Sequence, residues 1–90
     1  MDIKKLVKDS VKEGRVVIGY NRVIKELKTR KPRYIVSSKN IPKSMMENII
    51  HNAKISKVEV LEYPEDSLNL GLICGKPFPV SVLAIKGSER

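Results

Sequence analysis

Ninety residues carry 18 Lys and Arg against 10 Asp and Glu, a formal charge of +8, and 41% of the chain is apolar. That length predicts one domain over residues 1–90 with a modest core. The surplus of positive charge calls for an anionic partner, with nucleic acid first and an anionic membrane surface second. No strongly amphipathic basic helix with bulky aromatics supports the membrane reading, and no apolar stretch approaches spanning length. The single cysteine, Cys74, gives no intrachain disulfide and no cysteine metal cluster, and its apolar surroundings predict a buried structural thiol. The charged start from Asp2 onward does not read as a secretory signal, so the cytosol is the expected location.

Along the chain, residues 2–13 predict an amphipathic helix with Ile3, Leu6, Val7 and Val11 on one face, stopped by Gly14. Residues 15–18 predict a short strand ended by Gly19. Residues 21–30 follow as a helix capped by Asn21, with Val23, Ile24 and Leu27 inward. Tyr34 to Val36 reads as a buried strand and Ser37 to Ile41 as a loop. Pro42 suits the first turn of a third helix, while Ser44 with Glu47 offers a capping box two residues later. Met45, Met46, Ile49, Ile50 and Ala53 would form that helix's core face. A third strand is expected over 58–61 with Val58 and Val60 on one face. A short fourth helix is expected over 65–74, with Leu68 and Leu72 four apart. The fourth strand, 80–85, is apolar enough to be central, and Gly87 to Arg90 read as a frayed tail. The alternating order of helix and strand predicts helices on both faces of a largely parallel sheet.

Catalytic patterns are weak. The single histidine, His51, lies mid-helix beside Asn48 and Asn52, without a base, nucleophile or metal partner. The acids Glu59, Glu62, Glu65 and Asp66 near the third strand's end lack the spacing of a calcium loop and read as a solvated patch. No phosphate-binding glycine loop is present. No catalytic residue, metal ligand or cofactor is expected.

The basic surplus is uneven: residues 1–57 carry a net +10 and residues 58–90 a net −2. Three turns attract attention. At Gly19-Tyr20-Asn21, glycine permits close approach of a partner, and the amides of a helix start favour an anion. Asn21 offers both a donor and an acceptor. Arg22 and Lys25 follow, and Lys28, Arg30, Lys31 and Arg33 are expected to extend the basic strip. The second turn is Lys39-Asn40-Ile41-Pro42. In an alternating sheet it gathers at the same edge. The third is Gly75-Lys76-Pro77-Phe78-Pro79, where the only phenylalanine sits between prolines, placed either to stack on a base or to plug the sheet edge.

These stretches, with Leu70-Gly71 and Val80-Ser81-Val82, resemble the L30e family of ribosomal proteins, within the L7Ae/L30e kink-turn RNA-binding superfamily. The resemblance runs from about Ile3 to Ile85. It implies a three-layer α/β/α sandwich around a four-stranded mixed sheet. It also implies recognition of a sharply bent RNA loop closed by sheared G·A pairs, with an extruded nucleotide entering an apolar loop pocket. Carried over by position, Gly19 and Tyr20 sit at close approach to the RNA, and Asn21 at the guanine edges. Arg22 stands where box C/D relatives place glutamate, and Asn21 where the ribosomal branch often has lysine. Lys25, Lys39 and Asn40 fall on contact positions, and Lys76, Phe78 and Val80 on the nucleotide-receiving loop. Two functions follow as expectations. One is a large-subunit ribosomal protein on a ribosomal RNA kink-turn, beside neighbouring ribosomal proteins and monomeric when free. The other is a kink-turn adaptor of guide-RNA or ribonuclease P particles. A small enzyme or protein-interaction module on the same fold is the third.

Overall fold

The computed structural model describes residues 2–87; of the expected tail, Ser88, Glu89 and Arg90 lie outside them. Eight elements alternate: α1 (Ile3–Lys12), β1 (Val16–Ile18), α2 (Tyr20–Thr29), β2 (Tyr34–Ser37), α3 (Lys43–Ser56), β3 (Glu59–Glu62), α4 (Ser67–Ile73) and β4 (Val82–Ile85). The sheet order is β1-β4-β2-β3. β2 and β3 are parallel, whereas β4 runs antiparallel to both of its neighbours, β1 and β2. The sheet is therefore mixed, and the expectation of a largely parallel one is corrected.

The reason lies in helix length. α2 and α3, with 10 and 14 residues, advance about 15 and 21 Å. Each carries the chain back along the sheet, so β1, β2 and β3 all run the same way. α4 has only seven residues, about 10 Å, and the chain after it folds back until the Val80 amide donates to the Ser67 carbonyl at 2.9 Å. β4 must then start at the end where β3 stopped. It fills the gap between β1 and β2, the central place its four buried residues require.

Strand alternation sorts the core into two halves. On one face Val36, Leu83 and Ile85 pack with Val7 of α1 and with Tyr63, Leu70 and Cys74. On the other, Ile35, Val82 and Ala84 pack with Val23 and Leu27 of α2 and with Ile49 and Ala53 of α3. Each large side chain so enclosed contributes roughly 1.5–3 kcal/mol. The helices thus form two layers around the sheet, α1 with α4 and α2 with α3.

Local expectations fare unevenly. Ile49 and Ala53 are buried, but Ile50 is 38% exposed. Leu68 and Leu72 are 57% and 63% exposed, while Leu70 and Gly71 face inward. In so short a helix the four-residue spacing marked the solvent side. Gly71 explains why the other side had to turn in: a Cβ there would meet the Phe78 carbonyl oxygen at 2.2 Å, so only glycine lets the 76–79 loop lie against α4. The Cys74 thiol is buried, and desolvation raises its pKa against a smaller opposing pull from Lys76.

Candidate nucleic-acid interface

Because β1, β2 and β3 run together and β4 runs against them, one end of the sheet collects three strand exits and one strand entry. Gly19 follows β1, Ser38 to Pro42 follow β2, Tyr63 follows β3, and Lys76 to Ser81 lead into β4. Backbone hydrogen bonds lace this rim: Gly19 N–H donates to Val82 O at 3.2 Å, Ser38 N–H to Ser81 O at 2.8 Å, and Tyr63 N–H to Ser37 O at 2.7 Å. Asn21, Asn40 and Phe78 therefore belong to loops and helix starts at the same end of the molecule.

Gly19 has φ 109° and ψ 144°, a conformation reserved for glycine. It turns the chain from β1 straight into α2, so the helix begins at Tyr20 and Gly19 is its cap, two residues earlier than the expected Asn21 cap. No side chain caps α2. α3 begins at Lys43 after Pro42, again without a side-chain cap, so the Ser44–Glu47 capping box does not form. By contrast Asp2 caps α1, accepting from Lys5 N–H, and Asp66 caps α4, accepting from Asn69 N–H. The two helices that start directly after β1 and the β2 loop thus present open amides and the positive end of their dipoles at the rim.

Between β1, the start of α2 and the 76–81 loop lies a groove of about 640 Å³. Gly19, Tyr20, Arg22, Lys76, Phe78 and Val80 all line it. Phe78 is 49% exposed, neither packed into the core nor free of it. Val80 is buried in the core beneath, and Ile18 and Met45 add apolar wall. The groove therefore combines an aromatic face, an apolar floor and two cations.

The other expected residues stand outside the groove. Asn21 is exposed on the first turn of α2. Lys39 is exposed, and its amide donates to Glu65 O at 3.0 Å. Asn40 is exposed, but its Oδ1 already accepts from Ser67 N–H at 2.8 Å, which leaves Nδ2 as its outward group. Lys25 lies farther down α2, in a shallow depression with Arg22 and Arg30.

Two residues of this region were not anticipated. Asn48 donates through Nδ2 to the Tyr20 phenol oxygen, fixing the ring at the groove's edge, and Met45 lines the groove itself. Both lie on the rim-side turns of α3, three residues apart, a spacing that puts them on one helix face. The acid cluster loses Glu59 to the far end of the sheet, while Glu62, Glu65 and Asp66 stay near the rim. Glu65 pairs with Lys4, which raises the Lys4 pKa first through the hydrogen bond and then through charge. Asp66 caps α4, and Glu59 opens β3 at the opposite end from Glu62. His51 is exposed on α3.

The basic strip is likewise corrected. Ten residues of helix separate the rim from Arg30, and Arg33 N–H donates to Ile85 O at the far end of β4. Arg30, Lys31 and Arg33 consequently sit at the other end of the sheet and do not continue the rim.

Fold and surface together define a three-layer α/β/α protein with one groove-bearing cationic rim. The chain belongs to the ribosomal protein L7Ae/L30e/S12e/Gadd45 family, whose model it matches over residues 1–90. Among curated relatives it is 39% identical over 85 residues to large ribosomal subunit protein eL30 of Methanocaldococcus jannaschii, covering 94% of this chain and 77% of that one. It is 38% identical to eL30 of Methanothermobacter thermautotrophicus, covering 96% and 88%. Among solved structures, the fold matches a Bacillus halodurans protein of unknown function with a TM-score of 0.85 at 14% identity, covering 97% and 86%. It also matches the Giardia lamblia 15.5kD RNA binding protein with a TM-score of 0.80 at 18% identity, covering 97% and 72%.

Proposed function

We propose that this chain is a protein of the large ribosomal subunit whose rim holds a sharply bent internal loop of ribosomal RNA. The observation that carries the reading is the convergence of Gly19, Tyr20, Arg22, Lys76, Phe78 and Val80 on one groove, in a chain whose curated relatives are named eL30. Open amides of α2 and α3 meet the phosphates at the bend. Asn21 reads guanine edges in the sheared pairs, through a donor and an acceptor on one amide. A base thrown out of the stack lies over the Val80 floor against Phe78. Arg22, Lys25, Lys39 and Lys76 neutralise the crowded backbone that a bend creates, and Nδ2 of Asn40 donates to it from the second loop. The protein needs no cofactor or metal for this work and catalyses no reaction. Free of RNA it is a monomer, and in the cell it is on the ribosome.

The test is a comparison of two RNAs with identical ends: one with an internal loop of tandem sheared G·A pairs, the other fully paired. The bent RNA should bind about a hundredfold tighter or more. Equal affinity would remove shape recognition from the account. A second reading, an adaptor of guide-RNA or ribonuclease P particles, is favoured by one residue, Asn21, which stands where the ribosomal branch often carries lysine. Stoichiometric presence in purified large subunits selects the ribosomal role, and absence from them selects the adaptor.

A further inference from the structure

The end of the sheet opposite the rim carries its own cationic surface. Lys86 N–H donates to Arg15 O, Arg15 Nη1 donates to Lys86 O, and Arg33 N–H donates to Ile85 O, each at 2.8 Å. With Ile85 opposite both Val16 and Tyr34, Arg15, Lys86 and Arg33 stand side by side across β1, β4 and β2. Strand spacing makes that row about 10 Å long. Beside it, Arg30 and Lys31 join Lys86 around a depression of about 420 Å³ that also includes Glu26 and Pro32. The Arg33 guanidinium lies over the Tyr34 ring, 5.5 Å from its centroid, which holds it in place.

Two ordinary explanations leave most of this unaccounted for. Cations near a helix C-terminus complement its dipole, which covers Lys28 and Arg30 but not the strand-end residues Arg15, Arg33 and Lys86. Local ion pairing accounts for one more: among the described residues the salt bridges are Lys4–Glu65 and Arg15–Glu13, so only Arg15 of this group has a carboxylate partner there. Among the described residues the large exposed apolar side chains are Ile50, Ile55, Leu68, Leu72 and Phe78. None belongs to this row or its depression, and the aromatic there, Tyr34, is partly buried with the Arg33 guanidinium over its ring, so the surface offers a base no free ring and lacks the apolar anchor that protein interfaces favour.

We infer that this far end is a second RNA-binding surface, one that takes the phosphate backbone of a regular duplex and lets the protein join two RNA segments on opposite sides of its sheet. The choice of RNA rests on the proposed place of the chain in a ribosomal particle; the phosphate chemistry rests on the far-end residues alone. The two surfaces divide the labour of RNA recognition: the rim reads an irregular shape, and the far end contacts a backbone without reading it.

The experiment uses the full chain, a fluorescent duplex RNA of about 16 base pairs, and an unlabelled RNA with the bent internal loop. Wild type saturated with the bent RNA should still bind the duplex in a three-part complex. Arg30→Ala/Lys31→Ala/Lys86→Ala should lose about tenfold or more in duplex affinity near 100 mM salt, and its salt slope should flatten by about 0.7–0.9 for each contact removed. Its affinity for the bent RNA should stay within about threefold, which also shows that the variant folds. Phe78→Ala without bent RNA should bind the duplex like wild type, so a failure of the rim reading leaves this result standing. One-for-one displacement of the duplex by bent RNA, or unchanged duplex affinity in the triple variant, would overturn the inference. Retention of a polyglutamate peptide with no duplex binding would overturn it in favour of an acidic protein partner.

Discussion

The two ends of the sheet are both cationic, yet they are built differently. At the rim, strand exits turn into helix starts, so the surface is made of loops, uncapped amides and a half-exposed aromatic over an apolar floor. At the far end, helices stop and strands begin, and the surface is a row of long basic side chains pinned by backbone pairing. The difference teaches that net charge says only that a polyanion is near. Whether its shape is read depends on concavity, an exposed ring and free backbone donors, which only the rim combines.

The largest effect that separates the ends should come from Phe78→Ala. Loss of a base-stacking ring should weaken binding of the bent RNA by roughly 1–3 kcal/mol and leave duplex binding alone. Its thermal midpoint should hardly move, since the ring is half exposed. Titration of both RNAs with the variant checks this, and an unchanged affinity for the bent form would take stacking out of the mechanism. Gly71→Ala should come close behind, by a different route. The added methyl collides with the backbone of Phe78, so the loop must shift or the core must strain, at about 1–3 kcal/mol. Chemical denaturation should show the stability loss, and bent-RNA affinity should fall with it while the far end keeps its duplex. Asn21→Ala should follow, hurting the bent RNA far more than the duplex; matched losses on both would show that its amide touches phosphate and reads no base.

Much of the fold was legible because it rests on periodicity. The 3.6-residue repeats of α1 and α2 and the apolar strand at 82–85 form within a few residues of where the sequence puts them. The direction of β4 was not legible from alternation, because it depends on the reach of a seven-residue helix. Resemblance to a known family supplied the mixed sheet where the pattern of elements did not. The inward face of α4 was not legible for a related reason: two leucines carry the hydropathy signal, whereas the packing is governed by Gly71, which has no side chain to advertise it. At the rim, the three turns could be named from glycine, proline and lone aromatic positions. The bond from Asn48 to Tyr20 spans 28 residues and has no local signature. Continuity of the basic strip failed because sequence adjacency ignores that ten helical residues cross the whole sheet.

Lys25 gives the smallest effect and the finest test of the boundary between the ends. It sits between Arg22, which lines the rim groove, and Arg30 of the far end, in a shallow depression shared with both. Its side chain is exposed, so Lys25→Ala should cost little stability. One lost phosphate contact should flatten the salt dependence of binding by about 0.7–0.9, with a modest, sequence-independent fall in affinity. If Lys25 belongs to the rim, the bent RNA alone shows the flatter slope. A flatter slope on both RNAs would mean that the depression joins the ends into one continuous track, and the division between shape reading and backbone holding would then have to be drawn by the groove alone and not by the distribution of charge.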